Sequence, residues 1–160
     1  MRMRGGLQES YAVLPDDALV NVELKVFDVP CLSSTTGPED LVAAAVQEIE
    51  RLDVANRTIF STFDATAAAA LKRDHPQYYP GFLIFTATEE LLERAVTLEP
   101  DALHAALIDE ALVQATLEQG LQVNAWFVDT EETMNAALEK GVSSIITDEP
   151  GLLLDVIDRR

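Results

Sequence analysis

The chain has 160 residues, 28 of them Asp or Glu against 11 Lys or Arg, a formal net charge of −17, and 48% hydrophobic residues. That is enough apolar material for a single domain over residues 1–160, and too much for a disordered tail. The charge excludes partners that are themselves polyanions, nucleic acid and anionic membrane among them, because neutralising phosphates takes clustered Lys and Arg.

In chain order, Arg2 and Arg4 are followed by Gln8, Glu9 and Ser10, which interrupt any leader-type apolar stretch. Residues Leu7 to Leu19 read as a helix and then a turn at Pro15, Asp16 and Asp17. Six strand-then-helix units follow. The predicted strands are Val20 to Val26, Thr58 to Phe63, Gly81 to Phe85, Ala102 to Ala105, Leu121 to Val128 and Val142 to Thr147. The predicted helices are Pro38 to Leu52, Ala65 to Asp74, Glu89 to Leu98, Glu110 to Gln119, Glu131 to Lys140 and Glu149 to Asp158. No apolar run reaches the ~20 residues of a spanning helix, so membrane insertion is not expected. Cys31 is the single cysteine and fits a reducing, cytoplasmic compartment. The acids are spread over every predicted helix, as on a surface built to stay soluble in concentrated salt; an ordinary acidic cytoplasmic protein is the plainer alternative.

The boundaries carry their own chemistry. Thr36 or Gly37 precedes Pro38 at a first helical position, and Asp64, Thr88, Asp109 and Thr130 are each placed to accept a bond from a first-turn amide. Gly120 and Gly141 fall just past helix ends, where a left-handed residue is needed. Strictly alternating units give a parallel sheet with crossover helices. Six units are two short of an eightfold barrel, which leaves an incomplete barrel or a smaller open sheet.

Val20 to Val26 alternates apolar with polar. One face is Val20, Val22, Leu24 and Val26, and the other presents Asn21, Glu23 and Lys25. Inside a barrel these charges persist only if paired, hydrated at a site mouth or bound to a metal; a plain Glu–Lys pair on an edge strand is the simpler reading. Gln122, Asn124 and Trp126 share a face of their strand, and Ser61 and Phe63 share one of theirs, near the strand ends where barrel active sites lie. His104 ends a short strand and could line a pocket, whereas His75, in a loop before Pro76, reads as a surface residue. There is no glycine-rich phosphate loop, nucleophile elbow or HExxH helix.

Four stretches taken together resemble the C-terminal portion of a glycerophosphodiester phosphodiesterase family domain. They are Val20-Asn21-Val22-Glu23-Leu24-Lys25, Ile59-Phe60-Ser61-Thr62-Phe63-Asp64, Gly120-Leu121-Gln122-Val123-Asn124-Ala125-Trp126, and Gly141 through Thr147-Asp148-Glu149-Pro150. The resemblance implies an α/β, TIM-barrel-like fold with about six of the eight strand–helix units. It also implies hydrolysis of a glycerophosphodiester to an alcohol and glycerol phosphate, assisted by a divalent cation, Mg or Ca. Glu23 is then similar to a metal ligand and Lys25 to a residue that contacts the substrate near its phosphate. Trp126 and Phe63 would wall the glycerol pocket, with His104 on the same rim.

The family's His-Arg strand, its Glu-x-Asp metal strand and its second catalytic His precede the Glu-Leu-Lys strand and have no counterpart in these 160 residues. No catalytic residue is therefore assigned, and the cation site is expected to be weak or absent in this chain alone. Activity is expected only with the missing part present; the alternative is a truncated, non-catalytic relative acting as a binding or assembly module. An unclosed barrel would leave Val20 to Val26 and Val142 to Thr147 with unpaired edges, so self-association through them is expected.

Overall fold

The computed structural model describes residues 6–26, 37–86, 93, 95, 97–107 and 109–160. Cys31, Thr36, Thr88 and the start of the helix expected from Glu89 lie outside the described residues. The chain divides into two units, Met1–Pro80 and Gly81–Arg160.

In the first unit, α1 (Leu7–Ala12) leads through a turn, closed by Ala18 N donating to the Pro15 carbonyl, into β1 (Val20–Glu23). Then follow α2 (Pro38–Arg51), β2 (Thr58–Thr62) and α3 (Ala65–Asp74). Strand β1 pairs parallel with β2, with Val20 opposite Thr58 and Glu23 opposite Ser61. The strand is shorter than its alternation suggests, although its bonding continues one residue further through Leu24 N to Ser61 O at 2.8 Å. The alternation itself is present: Val20, Val22 and Leu24 pack on the core, and Asn21, Glu23 and Lys25 are exposed.

That core draws Val42, Val46 and Ile49 from α2, one helical face at spacings of four and three. Ala67, Ala70 and Leu71 come from α3, and Phe60 packs edge-on to Tyr78 at 5.2 Å. Small Ala side chains on α3 allow its close approach to the core. Asp64 caps α3, its carboxylate accepting from Ala67 N at 2.8 Å. The N-cap of α2 is Gly37 rather than Thr36; Asp40 reaches back to accept from Gly37 N. Tyr11 ties α1 to β2 through a 2.6 Å bond with Thr58 Oγ1, beneath the Arg57 guanidinium.

The second unit holds β3 (Tyr79–Thr86, beginning at the unit boundary), β4 (Ala102–Leu107), α4 (Glu110–Glu118), β5 (Gln122–Ala125), α5 (Glu131–Glu139), β6 (Ser144–Ile145) and α6 (Pro150–Asp158). Between β3 and β4, Glu93, Ala95 and Thr97 are helical. The four strands pair parallel in chain order, with Leu83 opposite His104, His104 opposite Asn124, and Asn124 opposite Ser144. Ala125, Met134, Ala137 and Val156 form a buried cluster between β5, α5 and α6.

Thr130 caps α5 by accepting from Thr133 N, and Gly120 and Gly141 take φ of 78° and 76° after their helices, where glycine avoids the Cβ penalty. Strand β5 stops at Ala125 instead of running to Val128, because Phe127 has φ 60° and no strand continues through a left-handed residue. Strand β6 is cut to two residues, flanked by single ladder bonds from Ser143 N and Ile146 N.

Candidate functional site

In parallel strands the side chains at the C-terminal ends point toward the loops that build a barrel's active face. In the first unit these are Glu23 and Lys25 after β1 and Phe63 after β2. Glu23 is paired with Lys25, Nζ to Oε2 3.3 Å, with the Glu side chain 33% and the Lys side chain 55% exposed. The parallel register sets Glu23 opposite Ser61. Phe63 is 41% exposed. The Ser61 hydroxyl, opposite Glu23, is buried and has no hydrogen-bond partner among the described residues.

The second unit is built differently. Trp126, the residue after β5, donates its indole N–H to two backbone carbonyls, Ile84 at 3.1 Å and His104 at 3.2 Å. Its own backbone N–H goes to Ala105 O at 3.1 Å. The indole is thereby fixed across the ends of β3 and β4, its polar handle used on the scaffold and its faces left for other rings. Phe85 lies 4.9 Å and Phe127 4.4 Å from it, centroid to centroid, both with exposed side chains. Phe127 is held at a positive φ, which for a bulky side chain is strained backbone.

His104 is not on a rim. It sits inside β4, fully buried, and has the partner that its sequence context did not reveal: Asn124 Nδ2 lies 3.0 Å from its Nε2. Its ring fills the space over Gly81, where an added Cβ would overlap Nε2, Cε1 and Cδ2. Desolvation pushes its pKa down to about 4, so the ring is neutral at pH 7. His104 Nδ1 and Asn124 Oδ1 are both buried and unpartnered among the described residues.

Asn124 is the residue that reading by strand face came nearest to but did not assign. Asp129 was missed altogether. Its carboxylate accepts from Thr147 Oγ1 at 2.9 Å and from Asp148 N at 2.8 Å, and Thr147 Oγ1 then accepts from Glu149 N. The Thr-Asp segment after β6 is thus a latch that ties the loop after β5 to the start of α6, where Pro150 takes the first position.

Among the described residues, no three His, Cys, Asp or Glu side chains come together to hold a metal ion. Glu23 alone, with an ammonium beside it, does not fit the shell of roughly six or more oxygens that Mg or Ca demands. No helix among the described residues is long and apolar enough to cross a membrane.

The model of the glycerophosphoryl diester phosphodiesterase family matches residues 9–152. The chain is 28% identical to a glycerophosphodiester phosphodiesterase of Caldanaerobacter subterraneus subsp. tengcongensis over 94% of its own length and 60% of the relative's. Its fold is similar to that of an Oleispira antarctica phosphodiesterase solved with the product sn-glycerol-3-phosphate, at TM-score 0.72 and 23% identity, covering 88% of this chain and 55% of that one. A glycerophosphodiester phosphodiesterase from Parabacteroides distasonis gives TM-score 0.69 and 22% identity, covering 88% of this chain and 58% of that one. The chain thus spans less than two thirds of the length of each of these proteins. Parallel strands with crossover helices in both units, a TIM-barrel-like α/β fold shared with these structures, and a family match over nearly the whole sequence lead to one assignment: the chain belongs to the glycerophosphoryl diester phosphodiesterase family.

Proposed function

We propose that this chain, as one domain over residues 1–160, contributes the phosphate- and glycerol-binding part of a glycerophosphodiester phosphodiesterase site. Water attacks phosphorus, the bond to the departing alcohol breaks, and the alcohol leaves with a proton while glycerol phosphate remains. The observation that carries the reading is the Glu23–Lys25 pair at the end of β1, exposed and two residues apart in a family-matched segment.

In this reading the Lys25 ammonium lies against a non-bridging phosphate oxygen and stabilises the charge that develops there. Phe63 in the first unit and Trp126 in the second each offer an aromatic face to the glycerol part of a substrate, and His104, buried, supports Trp126 by accepting its indole N–H at the backbone carbonyl. Glu23 would give one oxygen to a divalent cation, Mg or Ca, held weakly or not at all by this chain alone. The product bound to the Oleispira antarctica protein, sn-glycerol-3-phosphate, is the ligand expected here. The site works in the cytoplasm, which a lone cysteine suits.

A second reading is a binding or assembly module without turnover. It is favoured by the histidine inventory: the chain has two, His75 in a loop and His104 buried and neutral. A general acid–base pair has no evident source in them. The same reading includes self-association through the edges at Val20 to Val26 and Val142 to Thr147, which sedimentation would reveal as a dimer or larger species; a monomer at all concentrations removes that part.

The deciding experiment gives the purified chain glycerophosphocholine with Mg or Ca and, separately, titrates it with sn-glycerol-3-phosphate. Turnover lost in Glu23→Ala supports the enzyme. Binding without turnover, weakened at least about tenfold in Lys25→Ala, supports the module, about the loss expected for one charge-assisted contact. Neither turnover nor binding refutes both.

A further inference from the structure

Phe127 is costly where it stands. Its backbone is left-handed at φ 60°, which a bulky side chain adopts only under constraint, and its ring is 67% exposed, so burial returns little for the strain. Both neighbours hold it there. Trp126 is fixed by its indole N–H and its backbone N–H, which donate to carbonyls of β3 and β4. On the other side Val128 is buried, and the Asp129 carboxylate accepts from Thr147 Oγ1 and from the Asp148 amide. A residue that adds strain and exposed apolar surface without packing is accounted for by what its ring meets from outside.

The Phe127 ring lies 4.4 Å from Trp126, tilted by 38°, and the Phe85 ring, 58% exposed, lies 4.9 Å from it, tilted by 57°. These rings cluster at the C-terminal ends of β3 and β5, with the indole N–H already used on the backbone. They offer π faces and no side-chain hydrogen bond.

The charge around them has one sign. Among the described residues, the segments between β4, β5 and β6 and the helices that follow carry Asp109, Asp129, Asp148 and Glu149, and no Lys or Arg. Of the unit's described cations, Arg159 and Arg160 pair with Glu131 and Glu139, and Lys140 stands past the end of α5. An anion is repelled by the acids and by the negative ring faces, whereas a cation is drawn by both. An ammonium that carries N–H groups would leave them unsatisfied against bare rings; a quaternary ammonium has none to satisfy.

We propose that Phe127, with Phe85 and Trp126, binds a quaternary ammonium group, and that Phe127 is held in its strained position as a ligand-contacting residue. That the ammonium belongs to the departing alcohol of a small glycerophosphodiester rests on the function proposed above; the preference of the rings for the cation does not.

The test titrates the full chain with choline chloride at constant ionic strength, following the fluorescence of Trp126, the single tryptophan. Choline should give a saturable change and bind at least about fivefold more tightly than its uncharged isostere, in which carbon replaces the nitrogen. Phe127→Leu and Phe85→Leu keep apolar bulk without a π face, and each should remove that preference. Phe127→Gly should lose choline binding without lowering the urea midpoint, because glycine takes a left-handed backbone freely. A phenylalanine with a purely structural role would lose stability instead.

The proposal is overturned if choline and its isostere bind alike, if sodium chloride alone reproduces the change, or if the leucine variants bind choline as the wild type does. Phosphatidylcholine vesicles carry the same cation on a membrane, and a chain that sediments with them but ignores free choline also overturns it. Choline bound by a chain showing neither turnover nor sn-glycerol-3-phosphate binding sinks the proposed function and leaves this inference standing. Binding of sn-glycerol-3-phosphate without choline does the reverse.

Discussion

The two units hold their candidate residues by opposite means. In Met1–Pro80 the pair is ionic and open to water: Glu23 and Lys25 touch each other on an exposed strand face. In Gly81–Arg160 the group is neutral and mostly buried: Asn124 bonds His104, His104 covers Gly81, and Trp126 spends its N–H on the carbonyls of Ile84 and His104. The difference teaches where cost and use separate. A solvated ion pair adds little to stability and stays free to meet a charged ligand, whereas a buried neutral network is fixed in place, and its disruption is felt as unfolding.

The largest effect that would break this contrast comes from acid. The His104 pKa is moved by burial from 6.5 down to about 4, so the unfolded chain takes the proton first. Stability is complete above about pH 6.5 and declines as pH falls toward 4, by about 3 kcal/mol in all. Urea titrations followed by Trp126, the single tryptophan, should show this slope, and His104→Gln should flatten it. An unchanged slope would mean that His104 is not the group responsible.

Next in size is Gly81→Ala. Its methyl would overlap the His104 ring, and overpacking of this kind costs about 1–3 kcal/mol. Adding His104→Ala to Gly81→Ala should restore part of that loss; strict additivity of the two changes would deny that they share the space. Asp64→Ala, which removes the cap of α3 in the first unit, should cost about 1 kcal/mol in thermal unfolding followed by helical dichroism. Smallest is the ion pair: Glu23→Ala or Lys25→Ala should change stability by less than about 1 kcal/mol. Those same variants should nonetheless lose the most in sn-glycerol-3-phosphate binding, and a Lys25→Ala protein that binds it normally would reverse the contrast.

What was legible in the sequence was local. Period two placed Val20, Val22 and Leu24 on the core and Glu23 with Lys25 opposite, and Asp64, Thr130, Gly120 and Gly141 announced their helix ends because capping depends on a residue's own side chain or backbone freedom. What was not legible depends on register between distant segments. Nothing near Asn124 in the chain says that His104, twenty residues earlier, will stand level with it. The partners of the Trp126 indole are backbone carbonyls, which every residue has, so no residue type signals them. Asp129 looked like one acid among 28, and only the fold brings Thr147 and the Asp148 amide to it. Phe127 breaks β5 by a left-handed conformation that phenylalanine does not advertise.

The contact between Gly81 and His104 also constrains how this sequence can change. Because the imidazole occupies the volume that any larger residue at position 81 would claim, the two sites are not free to drift separately. A lineage that exchanges the glycine must first shorten the histidine, and one that shortens the histidine strands the Asn124 amide. The order of permissible substitutions is thus written into a single point of contact between two strands.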